Sequence, residues 1–233
     1  TVSIVQRYLR GKREGYVDAV YVNGEKATGD LAAMIRCKTV SHRDPTLDDE
    51  SEFHKFEQLL PTLFPAVFAK CSYEKVGNRG ILIRWKGKSP ESPSVYMSHY
   101  DVVSVEEADW DKPAFEGIIE DGVLWGRGTL DTKVTMNGAL FAANTLLEQG
   151  FTPENDIYFA FSGGEEVNGP GAKNIVDWFV ENNITPAIVV DEGGAVVENV
   201  FPGVKVPCGM VGIAEKGMIN VQYTVHSGGG HAS

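Results

Sequence analysis

Hydrophobic positions along this chain keep two rhythms, and its polar chemistry collects where one rhythm gives way to the other. Between Asp49 and Ala69, Phe53, Phe56, Leu60, Leu63, Phe64 and Val67 recur at three and four, which marks one apolar helix face. Pro61 and Pro65 predict a kink there, or a break into two pieces. Leu31, Met34, Ile35 and Lys38 repeat the spacing over Thr28 to Thr39, with Asp30 as the expected N-cap. A third helix is predicted over Lys133 to Gln149, where Met136, Leu140, Ala143, Leu146 and Leu147 form a stripe and Gly150 is a good stop. Ile175 to Val180 belong to a further helix.

The strand-like runs are shorter. Cys71 to Val76 and Gly80 to Trp85 read as a hairpin joined at Gly77-Asn78, and Lys86 to Pro93 as a polar surface loop. Glu120-Asp121-Gly122 reads as a turn between two short strands within Gly117 to Trp125. Ser94 to His99, Asp156 to Phe161 and Ala187 to Val190 are apolar runs, the last predicted to be a buried strand after Pro186. Strands alternating with helices in this way predict an α/β fold, a doubly wound and mostly parallel sheet flanked by helices.

Each of several elements delivers a metal-type ligand where it stops. The run from Ser94 leads into His99 and Asp101, and Asp156 to Phe161 leads through Ser-Gly-Gly into Glu165 and Glu166. Ala187 to Val190 leads into Asp191, and the turn from Trp125 to Leu130 leads into Asp131 at the mouth of a helix. The carboxyl ends of the strands form the ligand-binding edge of an open α/β sheet, so these residues are expected to converge on one crevice.

Composition narrows the function. A formal net charge of -11 over 233 residues argues against a nucleic-acid or anionic-membrane surface, which would need a strongly basic patch. No apolar run approaches the length of a membrane span. Cys37, Cys71 and Cys208 are too few and too scattered for a disulfide framework or a thiolate zinc site, and fit a reducing, cytoplasmic compartment.

Taken singly, these ligand-type residues have ordinary explanations: a histidine satisfied at a strand end, acids on a solvated surface, a helix cap. Taken together they do not. Carboxylates a few ångströms apart cannot all ionise at neutral pH unless cations lie between them. Asp101, two positions after His99, points to the same side of extended backbone and can hold one imidazole nitrogen while the other binds metal. Imidazole plus carboxylate without thiolate suits zinc, cobalt or manganese.

The stretches His99-Tyr-Asp101-Val-Val, Gly126-Arg-Gly-Thr-Leu-Asp131-Thr-Lys133, Gly164-Glu165-Glu166 followed by Gly169-Pro-Gly-Ala172, and Val190-Asp191-Glu-Gly-Gly194 carry a resemblance. In this order they resemble the motifs of the co-catalytic zinc metallopeptidase family of aminoacylase, acetylornithine deacetylase, succinyl-diaminopimelate desuccinylase and carboxypeptidase S. The last stretch leans toward the carboxypeptidase S branch. Ser98 stands where the family favours Gly, Ser104 where Pro is common, and Gly164 where an acid often precedes the Glu pair.

The resemblance implies a di-zinc hydrolase, with Co2+ or Mn2+ as alternative metals, that cleaves an amide bond of an N-acyl amino acid or short peptide. In it Asp131 bridges the two metals, His99 and Asp191 complete one, and Glu166 binds the other. Glu165 is the general base, Asp101 orients His99, and the Asp131-Thr132 peptide bond is cis. It also implies a catalytic domain over 1–213 and the start of an inserted α+β lid domain over 214–233, with His231 as an oxyanion donor. A homodimer through the lid is compatible with it. The alternative is a metal-binding fragment without turnover, or a non-catalytic binding module of the same fold.

Overall fold

In the computed structural model, which describes residues 23–194, 196–214, 217, 219, 221–226 and 228, the first helix begins earlier than its apolar spacing implies. Helix α1 spans Gly24–Ile35, and Asn23 caps it by accepting the Lys26 N–H at 3.1 Å. Asp30 is therefore not the N-cap; it is buried within the helix, where Lys26 one turn back neutralises it at 2.5 Å. The long helical pattern breaks into α2 (Glu50–Leu63) and α3 (Pro65–Lys70). Pro65 decides where, because a proline disfavours helical backbone in the residue before it, and Phe64 stands at φ -125°, ψ 59°. Helix α4 (Lys133–Glu148) ends at Gly150, whose φ of 78° suits the stop, and α5 spans Gly171–Glu181.

The main sheet has five strands, ordered β1 (Ser72–Val76), β2 (Gly80–Trp85), β6 (Asn155–Ser162), β3 (Ser89–His99) and β7 (Ile188–Val190). A separate ribbon joins β4 (Ile118–Glu120) to β5 (Val123–Trp125) through Asp121 and Gly122, both at positive φ. The sheet is mixed rather than mostly parallel. β3 pairs in parallel with β6 and with β7, whereas β1 with β2 and β2 with β6 are antiparallel. A short hairpin loop can only reverse the chain, so the turn at Gly77 to Arg79 fixes the first antiparallel pair. Parallel pairing is left to the three strands whose carboxyl ends carry the ligand-type residues, and His99 lies opposite Ser162 in register. Strand β3 also begins inside the stretch that reads as a loop, with a register shift between Ser89 and Ser94.

Alternation along the strands separates two apolar layers. On one face Phe159 and Phe161 of β6 join Ile81, Ile83, Phe56 and Tyr100 beneath α1 to α4. On the other, Tyr158 and Ala160 pack with Val95, Ile175 and Phe179 beneath α5. The Phe56 and Tyr100 rings stack at 5.0 Å, which brings the larger core directly under the turn that follows His99. Strand β7 is not buried: Ile188, Val189 and Val190 are 54%, 53% and 40% exposed. Among the described residues it is the edge strand of the sheet, and α5 leaves an apolar groove of about 360 Å³ beside Val95, Met97 and Val189.

The chain divides into two compact units, one ending at Glu192 and the other beginning at Gly193. Within the second unit β8 (Val196–Val197) pairs antiparallel with β9 (Cys208–Gly209). The lid segment expected over 214–233 falls partly outside the described residues. Among the described residues no helix is long and apolar enough to cross a membrane, and the three cysteines are free.

Phe56, fully buried, and Val180, 70% exposed, give the fold a direct test. Phe56→Ala is expected to lower unfolding free energy by about 3–5 kcal/mol. Val180→Ala should change it by no more than about 0.5 kcal/mol. Urea denaturation of both variants checks the assignment of the core.

Candidate metal centre

Strand β3 ends by placing His99, 2% exposed, at the sheet's carboxyl edge. One ring nitrogen, Nδ1, lies 3.0 Å from the Asp101 backbone carbonyl and 3.4 Å from its carboxylate. The other, Nε2, faces Asp131 Oδ1 at 2.9 Å, Glu192 Oε1 at 3.2 Å and Glu165 Oε2 at 3.7 Å. Burial would lower the His99 pKa, but the Asp101 hydrogen bond and charge, the Glu192 charge and the Asp131 hydrogen bond push it up to about 10. Asp101 is itself fully buried and accepts the backbone N–H groups of Glu165 at 3.1 Å and Glu166 at 3.3 Å. Burial, the largest single influence, would raise its carboxyl; the His99 hydrogen bond and charge, Ser41 and the Glu165 N–H together outweigh that and hold the pKa down.

Asp131 reaches this point from a turn that only small residues permit. A Cβ at Gly126 would lie 2.5 Å from the Ile35 side chain, and one at Gly128, where φ is 89°, would lie 2.8 Å from Val102. The Asp131-Thr132 peptide bond is cis, and α4 starts immediately afterwards at Lys133. Glu165 and Glu166 are delivered by Gly163-Gly164. The Gly163 N–H donates to the Arg79 carbonyl at 2.9 Å, and Gly164 turns at φ 93°. A Cβ at Gly163 would press on Arg79 and Tyr100, each 3.1 Å away.

His99, Asp131 and Glu192 each offer one ligand atom, and these atoms lie within 4.8 Å of one another. Glu192 is a carboxylate beside the imidazole that the motif-based reading did not name. That reading named Asp191, which directly follows β7 and is exposed, while the next carboxylate is the one turned to the imidazole. Continued past Val190, the β7–β3 register would set Asp191, with Val189, on the face that Val95 shares with His99; Glu192 reaches the imidazole because the backbone leaves the strand after Val190. Burial raises the Glu192 pKa, while Thr132 and the His99 charge oppose the rise. Glu166 stands outside this cluster, and burial followed by the Asp131 charge raises its pKa. His231 lies outside the described residues. His42 is occupied with Asp48 at 2.9 Å and His54 with Gln58 at 2.7 Å, in keeping with packing or surface roles.

The donor set fits a divalent metal. A buried imidazole faces carboxylates on its free nitrogen and is steadied on the other by Asp101, the arrangement by which a second residue fixes a histidine ligand.

A mixed α/β sheet whose strand ends gather an imidazole and several carboxylates is suited to holding a divalent metal. The chain belongs to peptidase family M20/M25/M40, which matches residues 95–232. It is 39% identical over 210 residues to a probable carboxypeptidase S-like 2 of Dictyostelium discoideum, covering 87% of this chain and 40% of that protein. It is 34% identical over 208 residues to the N-fatty-acyl-amino acid synthase/hydrolase PM20D1 of Bos taurus, covering 87% of this chain and 41% of the relative. Among solved structures, human carnosine dipeptidase 1 shares the fold with a TM-score of 0.62 at 14% identity, over 75% of this chain and 40% of that one. The M20 family metallo-carboxypeptidase Sso-CP2 of Sulfolobus solfataricus does so with 0.58 at 21%, over 74% and 38%. The chain thus spans about two fifths of the length of these relatives.

Proton linkage tests the centre. With the His99 pKa raised to about 10 from an ordinary value near 6.5, its ion pairing stabilises the metal-free chain fully below about pH 6.5. That contribution is lost as pH rises through about 10. A metal ion needs the neutral Nε2 and displaces the proton, so zinc affinity is expected to rise with pH. Binding at pH 7 should release about one proton, read by calorimetry in two buffers of different ionisation enthalpy. Zinc uptake with no proton released would remove His99 from the ligand set.

Proposed function

We propose that the protein of which these residues form part hydrolyses an amide bond beside a carboxylate-bearing residue, in an N-acyl amino acid or a short peptide. The observation that carries this reading is the grouping of His99, Asp131 and Glu192 with Glu165 standing 3.7 Å from the same imidazole nitrogen. Family membership supports it, as do the names of the relatives, a carboxypeptidase-like protein and an N-fatty-acyl-amino acid hydrolase among them.

His99, Asp131 and Glu192 would hold one divalent ion, and Asp131 with Glu166 would contribute to a second. Zinc suits the donors best, with cobalt or manganese as substitutes. A bound ion supplies an ionised water at neutral pH and polarises the scissile carbonyl. The remaining work belongs to side chains of this chain. Glu165, half-exposed at the rim, takes the proton of the attacking water and passes it to the leaving amine. Asp101 keeps His99 and the backbone of Glu165 and Glu166 in one fixed relation, so that base and ligands do not drift apart. His231 in this reading assists the oxyanion, and a homodimer of the longer protein is compatible with it. The 233 residues alone are expected to bind metal without turnover, because they span about two fifths of the relatives' length.

Two substitutions separate the roles in the longer protein. Glu165→Gln should keep its metal and lose about a hundredfold or more in kcat, measured by amide hydrolysis alongside elemental analysis. Loss of metal in that variant would exchange the roles assigned to Glu165 and Glu166, and metal binding with no hydrolysis in the unaltered protein would make it a binding module instead.

The choice between the adjacent acids is settled by metal content. Glu192→Gln should weaken zinc binding by about tenfold or more, while Asp191→Asn should leave the His99 metal in place. The reverse result would restore Asp191 as the ligand.

A further inference from the structure

Lys133, the last residue of the Gly126 to Lys133 stretch, is fully buried. Its Nζ donates to the carbonyls of Cys37 at 2.8 Å and Met34 at 3.2 Å, where α1 ends, and lies 5.2 Å above the Phe56 ring. Its own N–H donates to the Gly128 carbonyl at 3.0 Å and so closes the turn that carries Asp131.

The segment that Lys133 grips continues to the other side of the centre. The Thr39 hydroxyl donates to the Tyr100 carbonyl at 2.6 Å, the Val102 N–H donates to the Thr39 carbonyl at 2.9 Å, and the Ser41 N–H donates to the Val102 carbonyl at 3.0 Å. Residues 37–41 therefore hold the backbone on both sides of Asp101. A single chain of contacts runs from the Asp131 turn, through the Lys133 side chain, to the turn that sets His99 and Asp101.

Satisfying those two carbonyls does not explain the lysine. Met34 O already accepts the Cys37 N–H at 3.2 Å, and Cys37 O accepts the Thr39 N–H at 2.9 Å. A methionine of similar length would fill the same space without burying a polar head, and such exchanges for well-packed apolar residues are often neutral or stabilising. What a methionine could not do is hold the two turns at a fixed separation. Nζ can donate to both carbonyls whether or not it carries its third proton.

We propose that Lys133 is a positioning residue, a buried strut that sets the distance between Asp131 and the His99-Asp101 turn and thereby shapes the metal centre. This rests on the metal-centre reading above. The test uses the unaltered chain, Lys133→Met and Lys133→Gln, with three measurements: urea unfolding without metal, zinc affinity by competition with a chromophoric chelator, and the visible spectrum after loading with cobalt. Lys133→Met is expected to fold cooperatively, bind zinc about tenfold or more weakly and give altered cobalt bands. Lys133→Gln, which keeps a shorter donor, should recover part of both. Wild-type zinc affinity and cobalt spectrum in Lys133→Met would overturn the proposal, and so would failure of both variants to fold, which would make Lys133 a stability residue alone. If the unaltered chain takes up neither zinc nor cobalt, the metal-centre reading fails first, and that result is distinguishable from the others.

Discussion

The Asp101 carboxylate is the point on which the rest of the site depends. It is fully buried, so its charge must be met by fixed partners, and those partners are the elements that would otherwise be independent. His99 comes from the end of β3, and the Glu165 and Glu166 N–H groups come from the end of β6. A buried carboxylate satisfied in this way leaves little freedom to either loop. Its charge also reaches through the imidazole, fixing which nitrogen faces the crevice and raising the proton affinity of that ring.

Around this anchor the chain assembles an excess of negative charge that the fold alone does not neutralise. Asp131, Glu165 and Glu192 all approach His99 Nε2, and Glu166 is pushed up by burial and by Asp131. Close backbone approach makes this density attainable. Glycines at 126, 128 and 163 let the carrier turns come within a distance that any Cβ would obstruct, and the stacked Phe56 and Tyr100 rings seal the apolar layer beneath. A crevice built in this way suits a cation and has poor tolerance for anything that displaces its walls.

Several elements could be read directly from the chain. The period of Phe53, Phe56, Leu60 and Leu63 gives α2, the Met136, Leu140 and Leu147 stripe gives α4, and the Gly77 and Asp121-Gly122 turns give the two hairpins. His99, Asp131, Glu165 and Glu166 could be read as a site because each stands where an element stops. Local chemistry with close competitors was less legible. Asn23 rather than Asp30 caps α1, since capping depends on which side chain reaches the free N–H groups, and Asp30 is instead paired with Lys26.

What the sequence determined by itself was therefore whatever is decided within a few residues: helix period, turn chemistry, and the kind of ligand at each element's end. Only the tertiary structure decided what depends on neighbours distant along the chain. Four apolar residues from 187 look buried, yet β7 is the sheet's edge, and an apolar strand is buried only where something covers it. The antiparallel pairing of β2 with β6 is likewise invisible locally, because strand direction is set by which strands meet. Which of Asp191 and Glu192 approaches His99 is of the same kind. Both acids follow the same strand, and alternation alone would set Asp191 on the side of His99; Glu192 comes to it because the backbone leaves the strand after Val190, a departure that no local pattern of the sequence contains.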